Sequence, residues 1–207
     1  MGAAEKGQMD AIKQASTQED LGTTLMLAYQ AGDEAAFDQL VDAYSGRLFA
    51  LFTRFLGTTP GREDLVQEVF LRLIRTRERY QPTARFSTFL YRIAFNLATN
   101  ERGRAHLKLV KPLDRTEDEG LELEDERAPL PAAELEREDV VTAVRRAIAH
   151  LPEKQRMALV LAKYEGLAYE EIAGVLGSTE KAIKSLIHRA RESLRESLSS
   201  FLQEGLA

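Results

Sequence analysis

Apolar residues recur with the period of a helix along most of this chain. Leu25, Leu27 and Ala28 begin the pattern, and Gly32-Asp33 interrupts it. Asp33 is a good cap for a second helix, along which Phe37, Leu40, Val41, Tyr44, Leu48, Leu51 and Phe55 keep helical spacing. Gly57-Thr58-Thr59-Pro60 reads as a turn, with Pro60 suited to the first position of the next helix, which runs to about Arg79. Leu65, Val66, Val69, Phe70 and Leu73 would face the core there. Asp64, Gln67, Glu68, Leu71, Arg72 and Arg75 would face out. A loop from Arg77 to Arg85 leads to Ser87, the expected N-cap of a helix to about Arg104 with Leu90, Ile93, Ala94 and Leu97 as its core stripe. From Glu134 to Ala149 the period resumes in a helix, which Leu151-Pro152 breaks. A further helix from Glu153 to about Tyr164 leads through Gly166 into a pair. In that pair Tyr169, Ile172, Ala173 and Leu176 line a short helix that Gly177 ends. Ser178 or Thr179 caps a longer one, which turns Ile183, Leu186, Ile187, Ala190 and Leu194 inward. The expected fold is all-α.

Charge divides this helical chain. The formal net charge of −5 looks wrong for a protein that touches nucleic acid. Yet residues 72–108 hold 9 Lys/Arg against 2 Asp/Glu, while residues 109–139 hold 4 against 12. A basic block inside an acidic chain marks a local interaction surface rather than a general polyanion binder. The acidic stretch, with Lys111-Pro112 and Pro129-Leu130-Pro131, has no sustained apolar period, so 107–134 is expected to be a flexible linker. Residues 1–20 are expected to form a disordered extension. Two small helical domains follow, at 21–106 and 135–203. The absence of cysteine excludes a disulfide framework and thiolate metal sites. The three histidines are far apart, so no metal ligand set is expected. Nothing resembles a phosphate loop or a nucleophile-base pair, so no cofactor and no catalytic activity are expected. No apolar run reaches the length of a membrane span and no cleavable signal opens the chain, which together suggest a cytoplasmic protein.

Two helices carry candidate chemistry for DNA. The short helix, tight turn and longer helix at 169–194 have the pattern of a helix-turn-helix, whose second helix enters a major groove. Its outward face would present Ser178, Thr179, Lys181, Lys184, Ser185, His188, Arg189 and Arg191. The helix after Ser87 interleaves Phe86, Phe89, Tyr91 and Phe95 with Arg92, Asn96, Asn100, Arg102 and Arg104. Rings stack on any unpaired base, amides bond to its edges, and guanidinium groups hold phosphates. Core packing is the competing reading for Phe89 and Phe86.

LAYEEIAGVLGSTEKAIKSLIHRARESLRESL, with Leu151-Pro152-Glu153-Lys154-Gln155-Arg156 before it, resembles the C-terminal helix-turn-helix of sigma-70 family transcription initiation factors. GREDLVQEVFLRLIR resembles the segment with which that family grips RNA polymerase. FSTFLYRIAFNLATNERGR resembles the promoter-melting helix of its extracytoplasmic-function subgroup. Phe89 stands where Trp is usual, Phe95 where Arg is frequent and Asn100 where Asp is frequent. Together the likeness covers residues 21–106 and 135–200. It implies that Asp64, Gln67, Glu68 and Leu71 bind the clamp helices of the large catalytic subunit. It implies that Arg77, Tyr80, Arg85, Phe86, Tyr91, Arg92, Phe95, Asn96, Asn100 and Arg102 recognise and melt the minus-ten element, and that the helix-turn-helix reads the minus-thirty-five element. The implied partners are core RNA polymerase, through its clamp helices and flap, promoter DNA and an anti-sigma factor. The alternative is a conventional helix-turn-helix regulator acting as a homodimer, which would leave the pattern at 64–104 unexplained.

Overall fold

A computed structural model describes residues 20–57, 60–110 and 132–204, with side chains described at 20–57, 60–101 and 140–199. Among the described residues all regular structure is helical: α1 (Leu21–Gln30), α2 (Glu34–Leu56), α3 (Arg62–Thr76), a 3₁₀ turn (Arg77–Arg79), α4 (Phe86–Val110), α5 (Ala132–His150), α6 (Glu153–Tyr164), α7 (Tyr169–Leu176) and α8 (Glu180–Glu204). The all-α expectation holds. The expected extension at 1–19 and the central part of the expected linker, at 111–131, lie outside the described residues.

Caps set the boundaries. Asp33 accepts a hydrogen bond from the Ala35 N–H at 3.0 Å, as its position before α2 predicts. Gly177 closes α7 in the left-handed conformation at φ 58°, and Thr179 Oγ1 accepts from the Ala182 N–H at 3.3 Å at the start of α8. Three boundaries differ from expectation. α3 begins at Arg62 rather than at Pro60, with Gly61 before it. α4 starts one residue before Ser87 and runs on to Val110, so a helix occupies the first part of the expected linker. α5 begins at Ala132, slightly ahead of the expected start. Asp20 supplies what Ser87 was expected to supply: its carboxylate accepts from the Phe86 N–H and from Thr23 Oγ1 (2.7 Å). Asp20 therefore belongs to the folded body, not to an extension, because one side chain serves the starts of two helices.

The N-terminal helices enclose Met26, Leu40, Leu48, Leu51, Phe52, Phe55, Leu73, Phe86, Leu90 and Tyr91, all fully buried. Gly22 lets α1 close onto this group, since a Cβ there would lie 2.5 Å from both Phe86 and Tyr44 Oη. Met157, Val160, Leu161, Ile172, Ile183 and Ile187 fill the C-terminal domain. The two sets meet in one continuous apolar cluster. α7 packs along α4, and both α5 and α6 pack against α2.

The join is also polar. Arg156, 3% exposed, donates from Nη1 to the Phe55 carbonyl at 2.7 Å and from Nη2 to the Leu151 carbonyl at 2.9 Å and the Ala149 carbonyl. Those oxygens lie at the C-terminal ends of α2 and α5, where backbone carbonyls lack helical partners and the helix dipoles favour a cation. One guanidinium thus caps a helix from each domain.

Candidate nucleic-acid and protein interfaces

α3 divides cleanly. Val69, Phe70 and Leu73 are buried, while Asp64, Gln67 and Leu71 are exposed and Glu68 is half-exposed. Leu71 (47%) and Ile74 (41%) leave an apolar strip beside the carboxylates. Arg72 donates to Glu68 at 2.9 Å, and Arg75 lies 3.8 Å from the same oxygen. The Arg72 hydrogen bond holds the Glu68 carboxyl below its ordinary range, so this face stays anionic. The four residues expected to bind polymerase share one accessible face. Ile74 extends it and was missed, although its i+3 spacing from Leu71 was readable.

The expected minus-ten set splits in two. Arg92, Asn96 and Asn100 are exposed along α4, and Arg85 lies exposed just before it. Arg102 lies where side chains are not described. The aromatic half is not an open surface in this conformation. Phe86 is fully buried between Tyr44 and Tyr80, with ring centroids 5.2 and 6.2 Å away. Tyr80 is 5% exposed and Phe95 7%, the latter edge-on to Phe55 at 6.1 Å. Tyr91 is fully buried and donates its hydroxyl to Glu165. Burial, then that bond and its negative charge, push the Tyr91 phenol far up, so it remains a donor. Arg77 is also engaged, 2.7 Å from Glu34 and 4.0 Å above the Tyr29 ring. Spacing cannot separate ring-on-base from ring-on-ring, because both need aromatics on adjacent turns. Phe89 keeps partial exposure 5.3 Å from Tyr80.

α8 presents the expected face. Lys181, Lys184, His188, Arg189 and Arg191 are exposed while Ile183, Ile187 and Ala190 are buried. Ser178 and Ser185 are half-buried, and Thr179 is exposed. Glu180 holds Lys184 at 2.8 Å and Glu192 holds His188 at 3.1 Å. Both are exposed pairs one turn apart, weak enough for phosphates or base edges to replace.

An exposed anionic and apolar strip on one helix and a helix-turn-helix whose outer face is basic are the features of a DNA-reading protein that also binds another protein. Comparison with known families agrees in register. Residues 40–106 match the family described as Sigma-70 region 2, and residues 142–194 match that described as Sigma-70, region 4. The chain is 34% identical over 184 residues to the RNA polymerase sigma-H factor of Pseudomonas aeruginosa, covering 84% of this chain and 92% of that protein. It is 34% identical over 172 residues to the ECF RNA polymerase sigma-E factor of Escherichia coli K12, covering 80% and 87%. The solved structure of CnrH in complex with the cytosolic domain of CnrY superposes with a TM-score of 0.63 at 25% identity, covering 87% of this chain and 98% of that one. The fold also matches the sigma factor RpoE of Bartonella quintana, in complex with the anti-sigma factor NepR, at TM-score 0.57 and 22% identity over 79% and 96%. The chain belongs to the sigma-70 family of RNA polymerase sigma factors, in its extracytoplasmic-function branch. The homodimeric-regulator alternative is not favoured, because the match at 40–106 covers the helices it left unexplained. Among the described residues, no helix is long and apolar enough to cross a membrane.

Proposed function

We propose that α3 docks this chain on core RNA polymerase through Asp64, Gln67, Glu68 and Leu71, with Ile74 extending the apolar strip. The carboxylates select basic partners and the two apolar side chains supply contact area. Arg85, Arg92, Asn96 and Asn100 then hold the minus-ten strand, with Tyr91 and Phe95 available to a displaced base once exposed. On α8, Lys181, Lys184, Ser185 and His188 read the minus-thirty-five element from the first turns. Arg189 and Arg191 hold phosphates, which positions the helix without specifying sequence. RNA synthesis belongs to the polymerase; this chain contributes recognition and strand separation, not catalysis of its own. It works in the cytoplasm, where polymerase and chromosome are. An anti-sigma factor restrains it; the sigma factor RpoE of Bartonella quintana, similar in fold, is solved in complex with the anti-sigma factor NepR.

The observation that carries this reading is the joint exposure of the α3 strip and the α8 basic face on a family-matched scaffold. The test is transcription of fragmented genomic DNA by purified core polymerase with and without this chain, mapping transcript starts. New starts sharing two spaced upstream elements are expected. Glu68→Lys removes them while leaving the helical circular dichroism unchanged. An identical set of starts with and without the chain overturns the reading.

A further inference from the structure

Apolar and arginine side chains meet in a recess that neither the α3 strip nor the α8 face includes. It lies where α5 and the end of α6 meet the last turns of α2, and its volume is about 810 Å³. Phe49 of α2, Val140, Val141, Val144 and Ile148 of α5 and Tyr164 of α6 form its walls. Val140 and Val141 are each 46% exposed and Tyr164 is 48% exposed. Among the described residues they are three of the seven large apolar side chains left open to solvent, and Leu71 and Ile74 of the α3 strip are two of the others. Exposed apolar side chains gathered in one place mark a binding surface.

The rim of the recess is cationic. Arg54, Arg145 and Arg146 line it, and among the described residues no Asp or Glu does. None of the three arginines is in an ion pair among the described residues. The Arg54 guanidinium lies 4.3 Å over the Tyr164 ring. Stacking fixes its plane and leaves its N–H edge for an acceptor. The helix ends nearby do not consume this charge. α2 and α5 both finish at the recess, where unpaired backbone carbonyls attract cations. Other arginines serve those carbonyls: Arg156 donates to Phe55, Ala149 and Leu151, and Arg62 donates to Gly57 at 3.5 Å.

Size and chemistry together select the occupant. Small-ligand sites hold about 300–1,000 Å³, favour domain junctions and combine apolar walls with a few polar groups. A protein partner would need about 20–30 residues on this side, and thirteen line the recess. A neutral apolar molecule would leave three arginines without an acceptor, and a cation would be repelled. An apolar chain that ends in a carboxylate satisfies both parts, since a planar carboxylate accepts two parallel N–H bonds from one guanidinium. We propose that this recess binds a free single-chain fatty acid, its chain along Val140, Val141 and Val144 and its carboxylate among Arg54, Arg145 and Arg146. Such a ligand touches α2 and α5 together, so it stabilises the folded chain by mass action.

The probe is sodium decanoate, titrated calorimetrically into the full chain below its micelle concentration. Decan-1-ol and decyltrimethylammonium serve as neutral and cationic controls. One saturating site per chain is expected for decanoate, with no binding of the cation. Decanoate should bind at least about tenfold tighter than decan-1-ol, the gain from one charge-assisted hydrogen bond. Arg145→Gln with Arg146→Gln should cancel that advantage and leave decan-1-ol binding unchanged. Both arginines are exposed, so this variant keeps the fold. Val141→Trp fills the recess from its open side and should remove binding of both ligands, with unchanged helical circular dichroism; if it fails to fold, the arginine variant decides. Absence of saturable decanoate binding overturns the site. Equal affinity for decanoate and decan-1-ol, or an equal loss of both in the arginine variant, overturns the assignment of a carboxylate. A wild-type dimer in sedimentation that Val141→Trp converts to monomer also overturns it, because the recess is then covered by a second copy of the chain. None of these outcomes moves the transcript starts, so the sigma-factor reading stands or falls separately.

Discussion

At the residue scale, three side chains do more than their types suggest. Asp20 caps α4 across sequence and binds Thr23 locally. Asp20→Ala should cost about 0.5–2 kcal/mol in urea unfolding, the range for loss of a helix cap. Arg156 serves the ends of α2 and α5 together. Arg156→Met keeps the stem but leaves buried carbonyls without their charged donor, so a loss of about 3 kcal/mol is expected by the same measurement. Tyr91 carries a pH signature. Its folded pKa lies above the ordinary 10.0, so its contribution is complete below that pH and is lost as pH rises beyond it. Tyr91→Phe keeps the ring but loses a hydrogen bond to a carboxylate, worth about 1.5–3 kcal/mol. Stability of the variant should therefore fall less steeply above pH 10 than wild type, as thermal melts across that range would record. None of these three roles was legible in sequence. Asp20 looked like the end of a tail, Arg156 reaches Phe55 from 101 residues away, and the partner of Tyr91 lies 74 residues away.

At the element scale, the helix-turn-helix was the most legible part. Gly177, Thr179 and the apolar stripes of α7 and α8 act within a few residues of themselves, and the structure places them as the period predicts. Its chemistry can be divided by substitution. Arg189→Gln should weaken binding of minus-thirty-five duplex about equally across sequences and reduce the salt dependence by about one counterion. Lys184→Gln should instead change which base is preferred at one position, read by competition among single-substituted duplexes. If both variants alter sequence preference, the division into phosphate and base contacts is wrong. α4 was less legible. Its aromatic pattern suited an open base-stacking face, but Phe86 packs edge-on against both Tyr80 and Tyr44 instead. An isolated helix has no means of choosing between those partners.

At the scale of the whole molecule, two domains share one apolar cluster. Cooperative unfolding is expected: a single calorimetric transition for wild type, and two for Glu165→Ala if loss of the Glu165 contacts to Tyr91 and Arg47 separates the domains. A single transition in both proteins would mean that apolar contact alone keeps them together. The sequence by itself determined the helices, their caps near the turns and the segregation of charge. It also carried the family likeness, because these depend on neighbours within a turn or two. It placed Asp64, Gln67, Glu68 and Leu71 on the outer face of α3 for the same reason, since one helix face is set by spacing alone. Only the tertiary structure decided that Glu165 meets Tyr91 and Arg47, that Arg156 joins α2 to α5, and that α7 covers α4. Those contacts depend on how two amphipathic surfaces dock, and hydrophobic period specifies that a face is buried without specifying what buries it.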